Sequence, residues 1–229
     1  MERKNEKNIN LIVGVDEVGR GPIAGPVCVC AFSLKEDEYE SFVKEAKEFL
    51  GLPLRDSKKL TKKYREKWFL YLKKQKEKGI CDYQMTFVSN EMIDKFGIAK
   101  CIQKAIDESL RKVTQPEILF ERSSDEGGKR ARPFQKESPA SFHILLDGGL
   151  KARDEFKNQK SYIKGDELYP IISFASIMAK VSRDRIMENY AKEYGGYGFD
   201  KNMGYGTKTH YEAIKKYGMT KIHRKSFIH

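Results

Sequence analysis

No run of apolar residues in this chain approaches the roughly 20 that a membrane-crossing helix needs. The longest weakly polar stretch, Tyr169 to Ala179, is interrupted by Ser173 and Ser176, so a bilayer-spanning helix is excluded. The opening residues, Met1 to Asn8, are polar and lead into a short apolar run ended by Asp16. They contain no long apolar segment and no small-residue cleavage site, so a cytoplasmic location is the expectation. Cysteine is scarce. Cys28, Cys30, Cys81 and Cys101 form no CxxC pair, and strand alternation puts Cys28 and Cys30 on one face. They read as reduced, mostly buried thiols, which argues against a disulfide framework. Histidine is equally sparse, and His143, His210, His223 and His229 have no metal-ligand spacing.

Charge is abundant. Forty-four Lys and Arg stand against 33 Asp and Glu, a net charge of +11, and 34% of the 229 residues are charged against 39% hydrophobic. A mean hydropathy of −0.65 describes a globular chain with a wet surface, long enough for one substantial core. The positive excess favours a polyanionic partner, nucleic acid first, through counterion release, although a merely soluble basic protein has the same balance.

Two β-branched runs, Ile9 to Val15 and Val27 to Phe32, read as neighbouring strands, the first ended by Asp16-Glu17. They are joined by a loop holding Gly19, Gly21, Pro22, Gly25 and Pro26. Glu36 to Leu50 reads as a helix with Phe42, Ala46, Phe49 and Leu50 on one side. Thr61 can cap a second whose buried stripe includes Tyr64, Trp68, Tyr71 and Leu72. Cys81 to Phe87 alternates as a strand with one wet face. Helix follows from Ser89, breaks or bends at Gly97 and continues towards Val113. Ile118 to Phe120 and His143 to Leu146 are strand pieces, and 121–141, rich in Ser, Gly, Pro, Lys and Arg, is a surface insertion. Ile171 to Tyr194 is helical, Gly195 to Gly206 is a glycine-rich loop, and Tyr211 to Tyr217 is a short helix ended by Gly218. This order predicts an α/β domain with helices packed on a mixed sheet and a helical tail.

Acids stand where apolar segments end, and an ionised carboxylate beside a dry core must be paired or bound to metal. Asp16-Glu17 ends the first strand, Asp147 follows Ile144-Leu145-Leu146, and Asp166 precedes an apolar helix. Asp16 and Glu17 point to opposite faces of a strand, so they share a site only if the chain turns there. An all-oxygen cluster suits Mg²⁺ or Mn²⁺, and two such ions roughly 4 Å apart support phosphodiester hydrolysis. Taken singly, each acid reads more often as a turn residue or helix cap.

The surrounding wording is more specific. Val15-Asp16-Glu17-Val18-Gly19-Arg20-Gly21-Pro22 with Ala24-Gly25-Pro26-Val27, then Asp56-Ser57-Lys58-Lys59-Leu60, resemble the two first signatures of the ribonuclease HII family. Leu146-Asp147-Gly148, Lys164-Gly165-Asp166, Ala175 to Asp184, Gly204-Tyr205-Gly206-Thr207 and His223-Arg224-Lys225-Ser226-Phe227 recur in family order. The match spans nearly the whole chain. It departs from the pattern in the added length of 121–141 and at Gly97, where many relatives carry Asn.

The resemblance implies a ribonuclease H-like α/β fold, with a central mixed β-sheet flanked by helices and a C-terminal helical region. One catalytic domain would cover 1–229, with about 195–229 as a helical, substrate-binding part. It implies that Asp16, Glu17, Asp147 and Asp166 are catalytic carboxylates holding two Mg²⁺ or Mn²⁺ ions. Gly19, Arg20 and Gly21 would read the 2′-hydroxyl and phosphate, and Tyr205 would pack on the sugar at an RNA-to-DNA junction. Lys58, Lys59, Lys180 and Arg183 would contact phosphates; the bland alternatives are ordinary solvated cations and, for Arg183 and Asp184, bridges to each other or to nearby helices. The implied activity is cleavage of RNA in RNA–DNA hybrids and nicking 5′ of ribonucleotides embedded in duplex DNA, by a monomer with no membrane partner. The rivals are a ribonuclease HIII-like hybrid nuclease and a non-catalytic basic nucleic-acid-binding protein. The first generally has a sizeable N-terminal extension and Lys where Arg20 stands.

Overall fold

The computed structural model describes residues 10–51, 54, 60–114 and 141–228. Lys58, Lys59, the strand piece 118–120 and the insertion, apart from Ser141, lie outside them. Five strands form one sheet in the order β3-β2-β1-β4-β5: β1 (Asn10–Val18), β2 (Val27–Lys35), β3 (Cys81–Val88), β4 (Ser141–Asp147) and β5 (Gln159–Tyr162). The strands β1, β2 and β3 run as an antiparallel meander, while β4 and β5 lie parallel to β1 and to each other. The mixed sheet expected from the sequence is therefore present, with β5 as a strand that residue patterning did not reveal. Its four residues carry little apolar signal.

Helices cover both faces, because both faces of the central strands are apolar. One core joins Cys28, Cys30, Phe32 and Leu34 to α1 (Tyr39–Leu50), α2 (Lys62–Glu77) and α6 (Pro170–Glu193). The other joins Val13, Val15, Val29 and Ile144 to Ile102, Ala105, Ile106 and Leu110 of α4 (Ile98–Thr114). All four cysteines are buried free thiols, with Cys28 and Cys30 in the same core, as alternation required. The wet face expected for β3 is not wet throughout, because α4 lies against it and Thr86 is buried with a hydrogen bond from Ser109 Oγ at 2.9 Å. Helical spacing also overreached at Phe49 and Tyr64, which stand exposed while Val43 and Phe69 are buried in their place.

Local signals set the ends of the helices. Thr61 caps α2, Ser89 caps α3 (Asn90–Phe96), and Gly97, with a φ of +80°, separates α3 from α4. Pro170 opens α6, the position where a missing N–H costs nothing. Helix α6 crosses β1 so closely at Gly14 that a Cβ there would lie 2.2 Å from the Ile171 carbonyl oxygen. Only glycine permits this approach, which seats α6 directly behind the end of β1.

A third cluster, built on Ala24, Met187, Tyr197, Phe199, Ala213 and Ile222, attaches the C-terminal part to the β1–β2 loop and the far half of α6. The glycine-rich stretch there contains the short α7 (Phe199–Asn202), and another short helix, α5 (Gly165–Leu168), lies earlier in the chain. Helix α8 (Lys208–Tyr217) ends at Gly218 as expected. No helix among the described residues is long and apolar enough to cross a membrane.

Candidate active site

The parallel register of β1 and β4 assembles the acids. Val15 pairs with Leu146 in the last rung of that ladder, so the next residues, Asp16 and Asp147, stand at the carboxyl ends of adjacent central strands. On its other side β1 stays paired with β2 through Val18, with Asp16 opposite Cys30 and Glu17 opposite Val29. The expectation that the chain turns at Asp16-Glu17 is corrected here: the turn begins only at Gly19. The two acids nonetheless line one cleft of about 370 Å³. The β4 ladder stops at Val15, so β1 beyond it is paired on the β2 side. The Asp16 carboxylate accepts the Glu17 N–H at 2.7 Å.

Asp166 is brought in by the turn after β5. Tyr162 pairs with Asp147, and Lys164, in a left-handed conformation at φ +56°, swings the chain into α5. The Asp147 carboxylate then accepts the Gly165 N–H at 2.6 Å and the Asp166 N–H at 3.4 Å. Asp166 itself is buried, and its carbonyl receives the Ser173 hydroxyl of α6.

The same cleft is lined by Gly19, Arg20, Gly21, Lys180 and Tyr205, together with Arg65 and Ser176. Arg20 lies 3.8 Å from Glu17, and Lys180 pairs with Asp184 at 2.7 Å. Tyr205 is half exposed, and its ring lies beside Gly21: a Cβ on that glycine would sit 3.6 Å from Tyr205 Cε1. Arg183 departs from its expected role. It is fully buried, and its guanidinium donates to the carbonyls of Pro26 at 2.8 Å, Met203 at 2.9 Å and Ala24 at 3.3 Å. It braces the β1–β2 loop from behind instead of facing a phosphate. Asp184 bridges Lys180 rather than Arg183.

Residue reading missed Ser176 and Arg65, which offer a hydroxyl and a cation to the cleft. Ser176 lay inside a matched motif without any charge to mark it. A larger groove of about 730 Å³ runs between α1 and α2, lined by Phe49, Leu70 and Ile80 with scattered Lys and Glu. It gathers none of the motif residues, so volume does not identify the site.

Burial pushes the Asp16 carboxyl well above the ordinary carboxylate range, and the charges of Glu17 and Asp147 push it further; hydrogen bonds from Ser176 and the Glu17 N–H offset part of this. Glu17 is raised as well, by burial first, with Arg20 opposing. Oxygen donors that repel one another in a poorly solvated cleft are what a hard divalent cation relieves, so the donor chemistry fits Mg²⁺ or Mn²⁺. As placed, no three His, Cys, Asp or Glu side chains among the described residues form a ready ligand set. Asp147 spends one oxygen on backbone N–H groups instead.

An acid whose folded pKa is raised stabilises the fold only while protonated; that contribution is whole below the ordinary range and is lost as pH rises through the folded value. Metal-free wild type therefore loses melting temperature relative to Asp16→Asn as pH climbs from about 4 towards neutrality. Paired thermal melts in chelator check this, and a gap that stays constant with pH contradicts the assignment.

The family model described as Ribonuclease HII matches residues 13–229. The ribonuclease HII of Endomicrobium trichonymphae is 36% identical over 217 residues, covering 94% of this chain and 84% of that protein. Among solved structures, the ribonuclease H2 from Pyrococcus horikoshii OT3 superposes with a TM-score of 0.64 at 25% identity, covering 94% of this chain and 93% of that one. A ribonuclease HIII determined in complex with Mn²⁺ shares the fold, with a TM-score of 0.59 at 17% identity over 93% of this chain and 64% of that one.

Proposed function

This chain belongs to the ribonuclease HII family, whose members are ribonuclease H endonucleases, and on that premise we propose that it nicks duplexes on the 5′ side of a ribonucleotide, leaving 3′-hydroxyl and 5′-phosphate ends. One observation carries the reading: Asp16 and Glu17 share a single cleft with Gly19-Arg20-Gly21 and Tyr205. A phosphate seated by the acids thereby has its sugar against the loop and the ring. The family membership sets aside the non-catalytic alternative.

Asp16, Glu17, Asp147 and Asp166 would hold divalent ions, which when bound supply charge neutralisation and Lewis acidity at the scissile phosphate. The protein's own residues do the rest. Gly19 and Gly21 let the backbone approach the pentose, where the 2′-hydroxyl distinguishes RNA from DNA. Tyr205 offers a flat apolar face to the neighbouring sugar. Lys180, held at the cleft by Asp184, and Arg20 and Arg65 present cations to phosphate oxygens. Lys58 and Lys59 retain the phosphate-contact role that their family motif implies.

The test is a DNA duplex with one embedded ribonucleotide, incubated with Mg²⁺ or Mn²⁺, with the nick mapped. Scission 5′ of the ribonucleotide that needs the divalent ion supports the proposal; a cut elsewhere, or one indifferent to chelator, rejects it. Tyr205→Phe keeps the ring and is expected to retain activity within about threefold, whereas Tyr205→Ala loses roughly 10–50-fold, the scale of one stacking contact. Equal losses in the two variants would transfer the role from ring to hydroxyl.

A further inference from the structure

We infer that the adjacent pair His223-Arg224 is a positioning clamp that sets the spacing between the Gly19-Arg20-Gly21 loop and Tyr205, and through it the discrimination of the sugar at the cut. The inference rests on the reading of those residues given above, and it assigns a task to a tail motif that the chemistry left unused.

Arg224 is fully buried, and its guanidinium grips the loop from below: Nη2 donates to the Gly19 carbonyl at 2.7 Å, Nη1 to Arg20 at 3.1 Å and Nε to Gly25 at 3.0 Å. His223 grips the other half through a relay. Its Nδ1 accepts the Thr220 N–H at 2.8 Å, which leaves its proton on Nε2. That nitrogen lies 3.1 Å from Nε2 of His210, and His210 Nδ1 lies 2.9 Å from the Tyr205 carbonyl. A carbonyl only accepts, so His210 carries its proton on Nδ1 and receives the bond from His223. Both imidazoles are buried. The direction of every bond from Thr220 to Tyr205 is thus determined, and each works only with neutral rings. Burial supplies that condition, holding His223 down to about 4 and His210 below its ordinary value.

The tail is already tied to the loop by backbone bonds: Arg224 N to Ile23 O at 2.8 Å, Gly25 N to Ile222 O at 2.8 Å, and Ile23 N to Gly204 O at 2.9 Å. Attachment alone therefore does not call for three buried polar side chains. Apolar groups would fill the same space without the desolvation cost of a guanidinium and two imidazoles. What the polar groups add is direction. The guanidinium bonds end on the carbonyls of Gly19, Arg20 and Gly25, and the imidazole relay ends on that of Tyr205; the gap they flank is narrow enough that a Cβ added at Gly21 would meet the Tyr205 ring, 3.6 Å from Cε1.

The test compares kcat/KM on duplex DNA containing one ribonucleotide with kcat/KM on a continuous RNA–DNA hybrid, both with Mg²⁺, for wild type, Arg224→Lys, His210→Gln and Tyr205→Ala. The clamp predicts that Arg224→Lys and His210→Gln each lower the ratio of the two values about tenfold, in the same direction as Tyr205→Ala. If Tyr205→Ala shifts the ratio and the clamp variants instead depress both substrates in parallel, the pair only stabilises the fold and the clamp is overturned. A ratio unmoved by Tyr205→Ala overturns the sugar reading itself. Should Arg224→Lys fail to fold, His210→Gln decides, together with the wild-type imidazole ¹⁵N spectrum at neutral pH: protons on His223 Nε2 and His210 Nδ1 support the relay, and the opposite tautomers refute it.

Discussion

Asp16→Asn is expected to lower cleavage by at least about a thousandfold, which corresponds to about 4 kcal/mol of lost transition-state stabilisation. The substitution keeps size and shape, and the amide oxygen still accepts the Glu17 N–H that Asp16 Oδ1 accepts at 2.7 Å, so the change removes charge and little else. Folding should not suffer. The carboxyl is buried and repelled by Glu17 and Asp147, so its neutral replacement leaves the metal-free protein as stable as wild type or more so at pH 7. Asp147→Asn is expected to behave alike, its amide oxygen retaining the Gly165 N–H. A second readout separates lost metal from lost shape. Ion present at a hundredfold excess over its dissociation constant stabilises the native state by about 2.7 kcal/mol, and the resulting rise in melting temperature should vanish in both variants. Single-turnover cleavage and thermal melts with and without Mg²⁺ measure the two effects, and near-normal activity in both variants would remove the acids from the chemistry.

Gly19→Ala should cost roughly 100-fold in cleavage and roughly 2–4 kcal/mol in stability, the largest effect expected from adding one methyl group to the cleft. Gly19 follows β1 directly with a φ of +93°, a conformation that side chains strain to adopt. Space is a separate obstacle. A Cβ there would fall 2.2 Å from Arg183 Nε and 2.8 Å from the Pro26 carbonyl oxygen. Arg183 has nowhere to retreat, because its guanidinium is bonded to Pro26, Met203 and Ala24. Either the loop shifts outward or those bonds break, and both displace Arg20, Gly21 and the Tyr205 contact relative to Asp16. Urea unfolding and steady-state kinetics on the single-ribonucleotide duplex test this together. A variant that loses stability yet cleaves normally would show that the loop's position does not matter to the reaction.

The outline of the fold was readable because its determinants are local. Thr61, Ser89, Gly97 and Gly218 mark helix ends within a few residues of themselves, and apolar runs identify β1, β2 and β4 without reference to partners. Edge features were less legible: β5 is four polar-to-intermediate residues that become a strand only because β4 offers them hydrogen bonds. The same division runs through the site. Asp16, Glu17, Asp147 and Asp166 stood out by the words around them, as did the glycines and Tyr205.

Their roles diverged where burial intervened. Lys180 and Arg183 belong to one motif on one helix, yet Lys180 faces the cleft and Arg183 points into the loop's carbonyls. Sequence alone determined which residue types were present and which elements would carry them, since periodicity, capping and charge act over a few neighbours. The tertiary structure alone decided that Asp16 meets Asp147 through a parallel register, that two arginines serve the backbone, and that His223 speaks to Tyr205 through His210. Those outcomes depend on contacts between residues far apart in the chain, where desolvation gives a cation or an imidazole a different task from the one its identity suggests.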